Sequence, residues 1–236
     1  MATKMKLAAV MIAALGVSAC GSLPTYARKT ETIPAEQAAQ QEANREVKSR
    51  ALYLRLVEEM QADNKHRAAI AYLDEYNQAY PGEDIAAILR GKSLVALEQY
   101  GDAEAVLQPL TTGALADQAY GELGTMWAKR GDWVRAASYF EMAREKAPTR
   151  VKYLNNLGYA ELMTKRYDRA EQVLKQALEL DDDNPSIRNN LILALFLQGK
   201  KAQARKIVLS LEGQERDQVI ALLKQWNDTV LTGSSK

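Results

Sequence analysis

Apolar positions recur along this chain with a period of about 34 residues. The clearest copy opens at Asp117 and carries Leu123-Gly124, then Ala136, Phe140, Ala143 and Pro148. One period later Leu157-Gly158, Ala170, Leu174 and Ala177 fall in register, and after another Leu191-Ile192, Ala204, Val208 and Leu211 follow. Upstream, Gly91, Ala103, Leu107 and Leu110 fit with a step of 33 residues. Val57, Ala69, Leu73, Tyr76 and Pro81 lie one further period back. A fixed period of this size means one supersecondary unit copied and stacked, because no single copy can bury its own apolar face. No segment alternates well enough to read as a strand, so the expected fold class is all-α.

Punctuation falls between the apolar runs. Pro81-Gly82, Gly101-Asp102, Gly131-Asp132, Asn184-Pro185 and Gly199-Lys200 read as turns. Asn184 suits an N-cap with Pro185 at the first helical position. Pro109 is expected to cut short the helix that contains it, in line with the shorter step there. The pattern predicts repeats over about 50–83, 84–116, 117–150, 151–184 and 185–213. A further amphipathic stretch over 214–230 (Val219, Leu222, Leu223, Trp226) is expected to cap the stack, leaving 231–236 as a disordered tail. The first helix is expected to begin near Glu36, so the solenoid covers 36–230.

The spacing resembles the tetratricopeptide repeat, a helix-turn-helix unit that stacks into a superhelical solenoid. Asp117 to Arg150 match that motif almost completely, whereas 50–83 and 185–218 lack its glycine. The physical logic agrees with the resemblance. Gly124 and Gly158 let two helices approach closely, Ala136 and Ala170 keep them close, and Phe140 and Leu174 fill the space between units.

The chain begins with a second message. Lys4 and Lys6 precede an apolar run from Leu7 to Val17, which ends in Val17-Ser18-Ala19-Cys20. That run is far short of the ~20 residues needed to cross a bilayer. It reads as a secretory signal over 1–19. The ending resembles a bacterial lipobox, which implies a lipid on Cys20, the single cysteine of the chain. Gly21 follows, and in the lipoprotein family that resemblance favours the outer membrane, periplasmic face. Residues 20–35, with Pro24 and Pro34, read as a flexible tether.

Composition is that of an ordinary soluble helical protein, 47% hydrophobic and 26% charged. Loss of the signal would take Lys4 and Lys6 with it and shift the formal balance from +1 to −1. With no dominant basic charge, neither nucleic acid nor an anionic membrane surface is indicated as partner.

Candidate chemistry is sparse. His66, the one histidine, falls on a turn and has no partners for a metal or nucleophile site, so a solvated residue is expected. Asp181-Asp182-Asp183-Asn184 lacks the spacing, glycine and closing glutamate of a calcium loop. No phosphate-cradling glycine loop or nucleophile elbow is present. No enzyme, cofactor, metal or small-molecule substrate is therefore expected.

The inner wall of the stack is the candidate site. First helices of the fourth and fifth repeats would present Asn155, Tyr159, Leu162 and Met163, then Asn189, Leu193, Phe196 and Leu197. Asn-Asn-Leu recurs at 155–157 and 189–191, although asparagine is a poor helix former. These amides either bind the backbone of a peptide whose side chains Tyr159 and Phe196 grip, or bond between neighbouring helices. Groove and core positions lie only some 50° apart on a helix, so the pattern leaves both open. Leu54, Glu58, Gly121 and Thr125 stand where some tetratricopeptide domains carry a carboxylate clamp, which argues against that mode.

Leu154-Asn-Asn-Leu-Gly-Tyr-Ala-Glu-Leu, with Asn189-Asn190-Leu191 and Leu195-Phe-Leu-Gln-Gly199, resembles the TadD group of Flp (tight-adherence) pilus assembly lipoproteins. That resemblance covers about 150–211 and implies a pilotin-like factor that binds a segment of an outer-membrane secretin. An adaptor for peptidoglycan hydrolases or synthases, or an accessory to outer-membrane barrel assembly, remain as other roles of repeat lipoproteins.

Overall fold

A computed structural model describes residues 35–232. The chain divides into residues 1–45 and 46–236. Of the first unit the described part is the opening of helix α1 (Ala35–Ala62). Cys20, the signal and most of the expected tether lie outside the described residues.

The second unit is built from helix pairs. After α1 come α2 (His66–Ala79), α3 (Asp84–Ala96), α4 (Tyr100–Leu107), α5 (Ala116–Lys129) and α6 (Trp133–Lys146). Then follow α7 (Val151–Met163), α8 (Tyr167–Leu180), α9 (Pro185–Leu197), α10 (Lys201–Ser210) and α11 (Gly213–Thr232). Among the described residues there is no strand. From α2 to α11 each helix packs on the next in sequence, with the α4–α5 connection reinforced by a 3₁₀ turn over Gln108–Thr112. First helices also meet across repeats, α3 on α5 and α7 on α9. The described residues thus form an all-α tetratricopeptide-type superhelical stack.

The close approach within a pair has a visible cause. A Cβ on Gly124 would stand 2.6 Å from the Phe140 ring, and one on Gly158 would stand 2.5 Å from Leu174. The missing side chain is the space the second helix's large residue occupies. Ala136 and Ala170 are fully buried beside these contacts. At the same register α1 and α9 carry Val57 and Ile192, both buried, which fill the space themselves.

Turn chemistry agrees with the sequence in part. Asn184 caps α9, its side-chain oxygen accepting from Ser186 N at 3.1 Å and Ile187 N at 3.4 Å. Pro109 sits in the 3₁₀ turn that ends α4, as its missing N–H requires. One expected turn is corrected: Gly101 lies inside α4. The reversal between α3 and α4 falls at Glu98, which has a φ of +62°. Asn64, Glu98, Gly131, Lys165 and Gly199 all take this left-handed conformation, one in each repeat. The geometry is imposed by the repeat, and only at some positions does the residue favour it. The last helix also runs through Leu231 and Thr232, two residues into the expected tail.

Two outcomes follow from these contacts. Gly124→Ala gains up to ~1 kcal/mol of helix propensity but overpacks against Phe140, for a net loss of about 1–2 kcal/mol. Combining it with Phe140→Leu should cost less than the sum of the two single changes, as measured by urea unfolding. Conversely, Glu98→Gly relieves a left-handed β-carbon and should raise stability by about 0.5–1 kcal/mol in the same assay.

Candidate functional site

A groove of about 400 Å³ opens along the first helices of the middle repeats. Its walls come from α5 (Thr125, Lys129), α7 (Asn155, Asn156, Tyr159) and α9 (Ser186, Asn190), with Trp133 and Phe140 of α6 in its floor. The volume is that of a ligand-sized cleft.

Two kinds of contact shape it. Trp133 meets Tyr159 edge-on at 5.5 Å between ring centroids, giving a rigid aromatic corner. Asn155 bridges α7 to α9: its amide donates to the Ser186 hydroxyl at 3.3 Å and its oxygen accepts from Asn190 at 3.0 Å. The asparagine pair therefore does bond between helices, but at the groove surface and not in the core. Among the described residues no hydrogen bond engages the Asn156 amide, and the Asn190 side-chain oxygen accepts none, its NH2 being the group that bonds Asn155. Those groups, with the exposed Lys129, are available to a partner.

Of the expected groove residues, the structure brings Asn155 and Tyr159 into this cleft. Leu162 and Leu193 are corrected to core positions, 1% and 2% exposed, in the apolar cluster shared by α7 to α11. Phe196 and Leu197 are partly buried against that same cluster, and Lys201 lies 5.6 Å above the Phe196 ring. Met163 and Asn189 are also partly buried and lie outside the groove wall, and the Asn189 oxygen is buried without a partner. The residue that faces Asn155 is Asn190, one beyond a strict 34-residue shift, because successive first helices are rotated relative to each other. Trp133 was missed because only first helices were assigned to the wall.

Two of the positions where a carboxylate clamp would stand, Gly121 and Thr125, have structural roles. A Cβ on Gly121 would lie 2.6 Å from the Tyr153 ring, so this glycine is a seat for tyrosine. The Tyr153 hydroxyl donates to Asp117 at 3.0 Å, tying α7 to α5. Burial, then the Asp117 charge and that hydrogen bond, push its ionisation above the ordinary range. Thr125 donates back to the Gly121 carbonyl at 2.9 Å.

His66 is less solvated than expected. It is partly buried at the start of α2, and its Nδ1 is buried without a partner. Burial, and then the charges of Lys92 and Lys129, lower its pKa and favour the neutral ring. Among the described residues no group of three or more His, Cys, Asp or Glu could hold a metal ion. Nor is any described helix long and apolar enough to cross a membrane.

A second hollow, of about 530 Å³, lies at the turns of the last two pairs and is lined by Lys165, Arg166, Arg169, Gln198 and Lys200. Its cations are mostly engaged. Buried Glu161 is held by Arg166 and by Arg169 at 3.0 Å. Glu171 accepts from Lys175 at 2.6 Å and Lys200 at 2.7 Å, linking α8 to the turn before α10. Burial alone would raise the Glu171 carboxyl, but hydrogen bonds from Lys175, Lys200 and Gln198 outweigh it and hold the group at about 2. The ties on Glu161 and from Lys175 brace one repeat internally, and Lys200 carries the network across to the next repeat.

Comparison with known proteins places the chain. Residues 88–151 and 161–226 each match a tetratricopeptide-repeat family. The chain is a tetratricopeptide-repeat protein. It is 30% identical over 170 residues to the TPR repeat-containing protein PA4299 of Pseudomonas aeruginosa. That match covers 70% of this chain and 66% of the relative, just under two thirds of its length. Among solved structures it resembles PilF of Pseudomonas aeruginosa with a TM-score of 0.62 at 16% identity, covering 79% of this chain and 94% of the other. It resembles TTC0263, a TPR protein of Thermus thermophilus, with a TM-score of 0.59 at 20% identity, covering 75% and 97%. MamA of Desulfovibrio magneticus gives 0.56 at 17% identity, covering 75% and 96%. These structural likenesses are likenesses of fold.

The Glu171 ties predict a pH dependence. The folded carboxyl lies below its ordinary value of 4.5, so its stabilisation is complete above that value and is lost as pH falls through about 2. Glu171→Gln should therefore cost about 1 kcal/mol near neutral pH, a figure kept small because both lysines are half in water. The gap to the native chain should close between those two pH values in denaturant titrations. A gap that persists at the acid end would show that packing, and not charge, is responsible.

Proposed function

We propose that this protein is a lipid-anchored scaffold of the periplasmic side of the outer membrane, a pilotin-like factor that holds a segment of a secretin during Flp pilus assembly. The observation that carries the binding role is the groove between α5, α7 and α9, where an aromatic corner adjoins unspent amide groups. A segment lying there would place an apolar side chain against Trp133 and Tyr159. Its backbone would donate to the Asn190 oxygen and pair with the Asn156 amide, and an acidic group would suit Lys129. The secretin assignment rests on the resemblance of about 150–211 to the TadD group, and the address on the lipobox ending at Cys20. In this reading the lipid supplies location and the groove supplies grip. No catalytic residue or cofactor takes part.

The test is photo-crosslinking in cells followed by mass spectrometry, with the native chain compared with a Tyr159→Ala, Asn190→Ala variant. Loss of two groove anchors should weaken capture of the secretin by at least about tenfold while helicity is retained. Recovery of peptidoglycan enzymes in place of a secretin would replace the pilus role with the adaptor role. An unchanged catch from the variant would remove the groove from the mechanism.

A further inference from the structure

The first helices after α1 bury the same row of positions against the preceding pair, with Arg90 of α3 the partly exposed exception. In α5 that row is Ala119, Leu123 and Met126, which share one cluster with Leu94 and Val95 of α3 and Ala103 and Leu107 of α4. In α7 it is Tyr153, Leu157 and Ala160, and in α9 it is Ile187, Leu191 and Ala194, all buried. In α3 Ala86 and Ser93 are buried, and Arg90 between them bonds Asp74 of α2. Moved back to α1, the row reads Leu52, Leu56 and Glu59. Leu52 is 68% exposed and Leu56 39%. The repeat has been copied there with its large apolar residues, yet the described residues contain no pair for it to rest on.

The charges around this row choose its occupant. Lys48 lies one turn before Leu52, and Glu59 lies one turn after Leu56, both exposed and on the same helical stripe. Two such stripes laid antiparallel about a two-fold axis bring Leu52 of one copy onto Leu56 of the other. The same register sets Lys48 of each copy beside Glu59 of its twin, twice over. A parallel arrangement would set lysine on lysine and glutamate on glutamate. A symmetric contact must be self-complementary, and this stripe is. Glu59 also has Arg55 at 3.3 Å on its own helix, which leaves its carboxylate solvated and free to take a second cation.

We propose that α1 is a homodimerisation surface, with two copies paired antiparallel through Leu52 and Leu56 and registered by reciprocal Lys48–Glu59 contacts. The groove on α5, α7 and α9 contributes nothing to this contact, so the inference stands or falls independently of the secretin reading. One helix stripe offers less than the ~800 Å² per partner of a standard stable interface, so the dimer should be concentration-dependent.

The experiment is sedimentation equilibrium of the full chain in detergent over a wide concentration range. The native chain should dimerise, and Leu52→Glu, which removes the leucine from both copies, should weaken the dimer by roughly a hundredfold or more. Circular dichroism checks that the exposed substitution leaves the helices intact. The decisive arm uses charge reversal at solvent positions. Lys48→Glu and Glu59→Lys should each weaken self-association, and an equal mixture of the two variants should dimerise as well as the native chain. A native chain that stays monomeric at every concentration would overturn the proposal. So would a dimer indifferent to these changes, or a mixture that associates no better than its components.

Discussion

The ring of Phe140 rests against the backbone of α5 at Gly124, in the space a methyl group would take. Leu174 makes the same contact with Gly158 one repeat later. These contacts set the distance between the two helices of a pair, and that distance decides what the next pair meets. Phe140 belongs to the same apolar cluster as Leu157 and Ala160 of α7, so it fills its own pair and seats the following one. It also lies in the floor of the groove. One large side chain on a second helix, matched by an absent one on the first, thus fixes pair spacing, repeat stacking and the depth of the cleft. Dense packing transmits that constraint, because a filled core has no slack to absorb a shift.

This economy explains why the fold could be read from the sequence and much of the site could not. Core positions are specified by size: glycine, alanine and a large apolar residue recur where the geometry demands them, and the 34-residue period exposes them. The turns are specified by conformation, and there the signal is uneven. Gly131, Gly199 and Asn64 announce a left-handed residue, whereas Glu98 and Lys165 adopt it under the pull of helices on both sides. The glycine that seemed to mark the second turn, Gly101, is instead an ordinary helical residue. For the groove, a helical wheel separates core from wall by only about 50°. Asn155 and Tyr159 do lie in the cleft, while Leu162 and Leu193 are drawn into the core by neighbours the wheel does not contain. Trp133 and Asn190 needed the rotation between repeats, which is a property of the stack and of no single unit.

The polar groups divide along the same lines. At the turn edge, Glu161 and Glu171 are buried carboxylates, each held by two cations, a geometry that tolerates no vacancy because an unpaired buried charge is costly. In the groove, Lys129 apart, the polar groups are neutral amides and hydroxyls, only some of which are spent on one another. Neutral groups at a partly wet surface can exchange a water for a peptide at little cost. The ionic edge therefore suits a fixed joint between repeats, and the amide groove suits a contact that forms and breaks.

A stack of identical units always has two ends, and nothing in the repeat itself says how to finish them. Capping units solve this with a polar outer face. At the C-terminal end α11 follows that rule for the most part: Val219 is buried and Gln214, Arg216, Asp217, Gln218 and Lys224 face water, with Ile220 the one large apolar side chain exposed among those described. Arg188 on α9 bonds Glu215 at 2.6 Å and fastens the cap. At α1 the rule is broken by two leucines with a lysine before them and a glutamate after. Neither side chain is part of the Val57, Leu73 and Tyr76 cluster beneath them, and Leu52 is two-thirds exposed, so the core of one copy does not depend on their being leucine. Among the described residues nothing covers this apolar row, and that uncovered row is what the proposed pairing of two copies would fill.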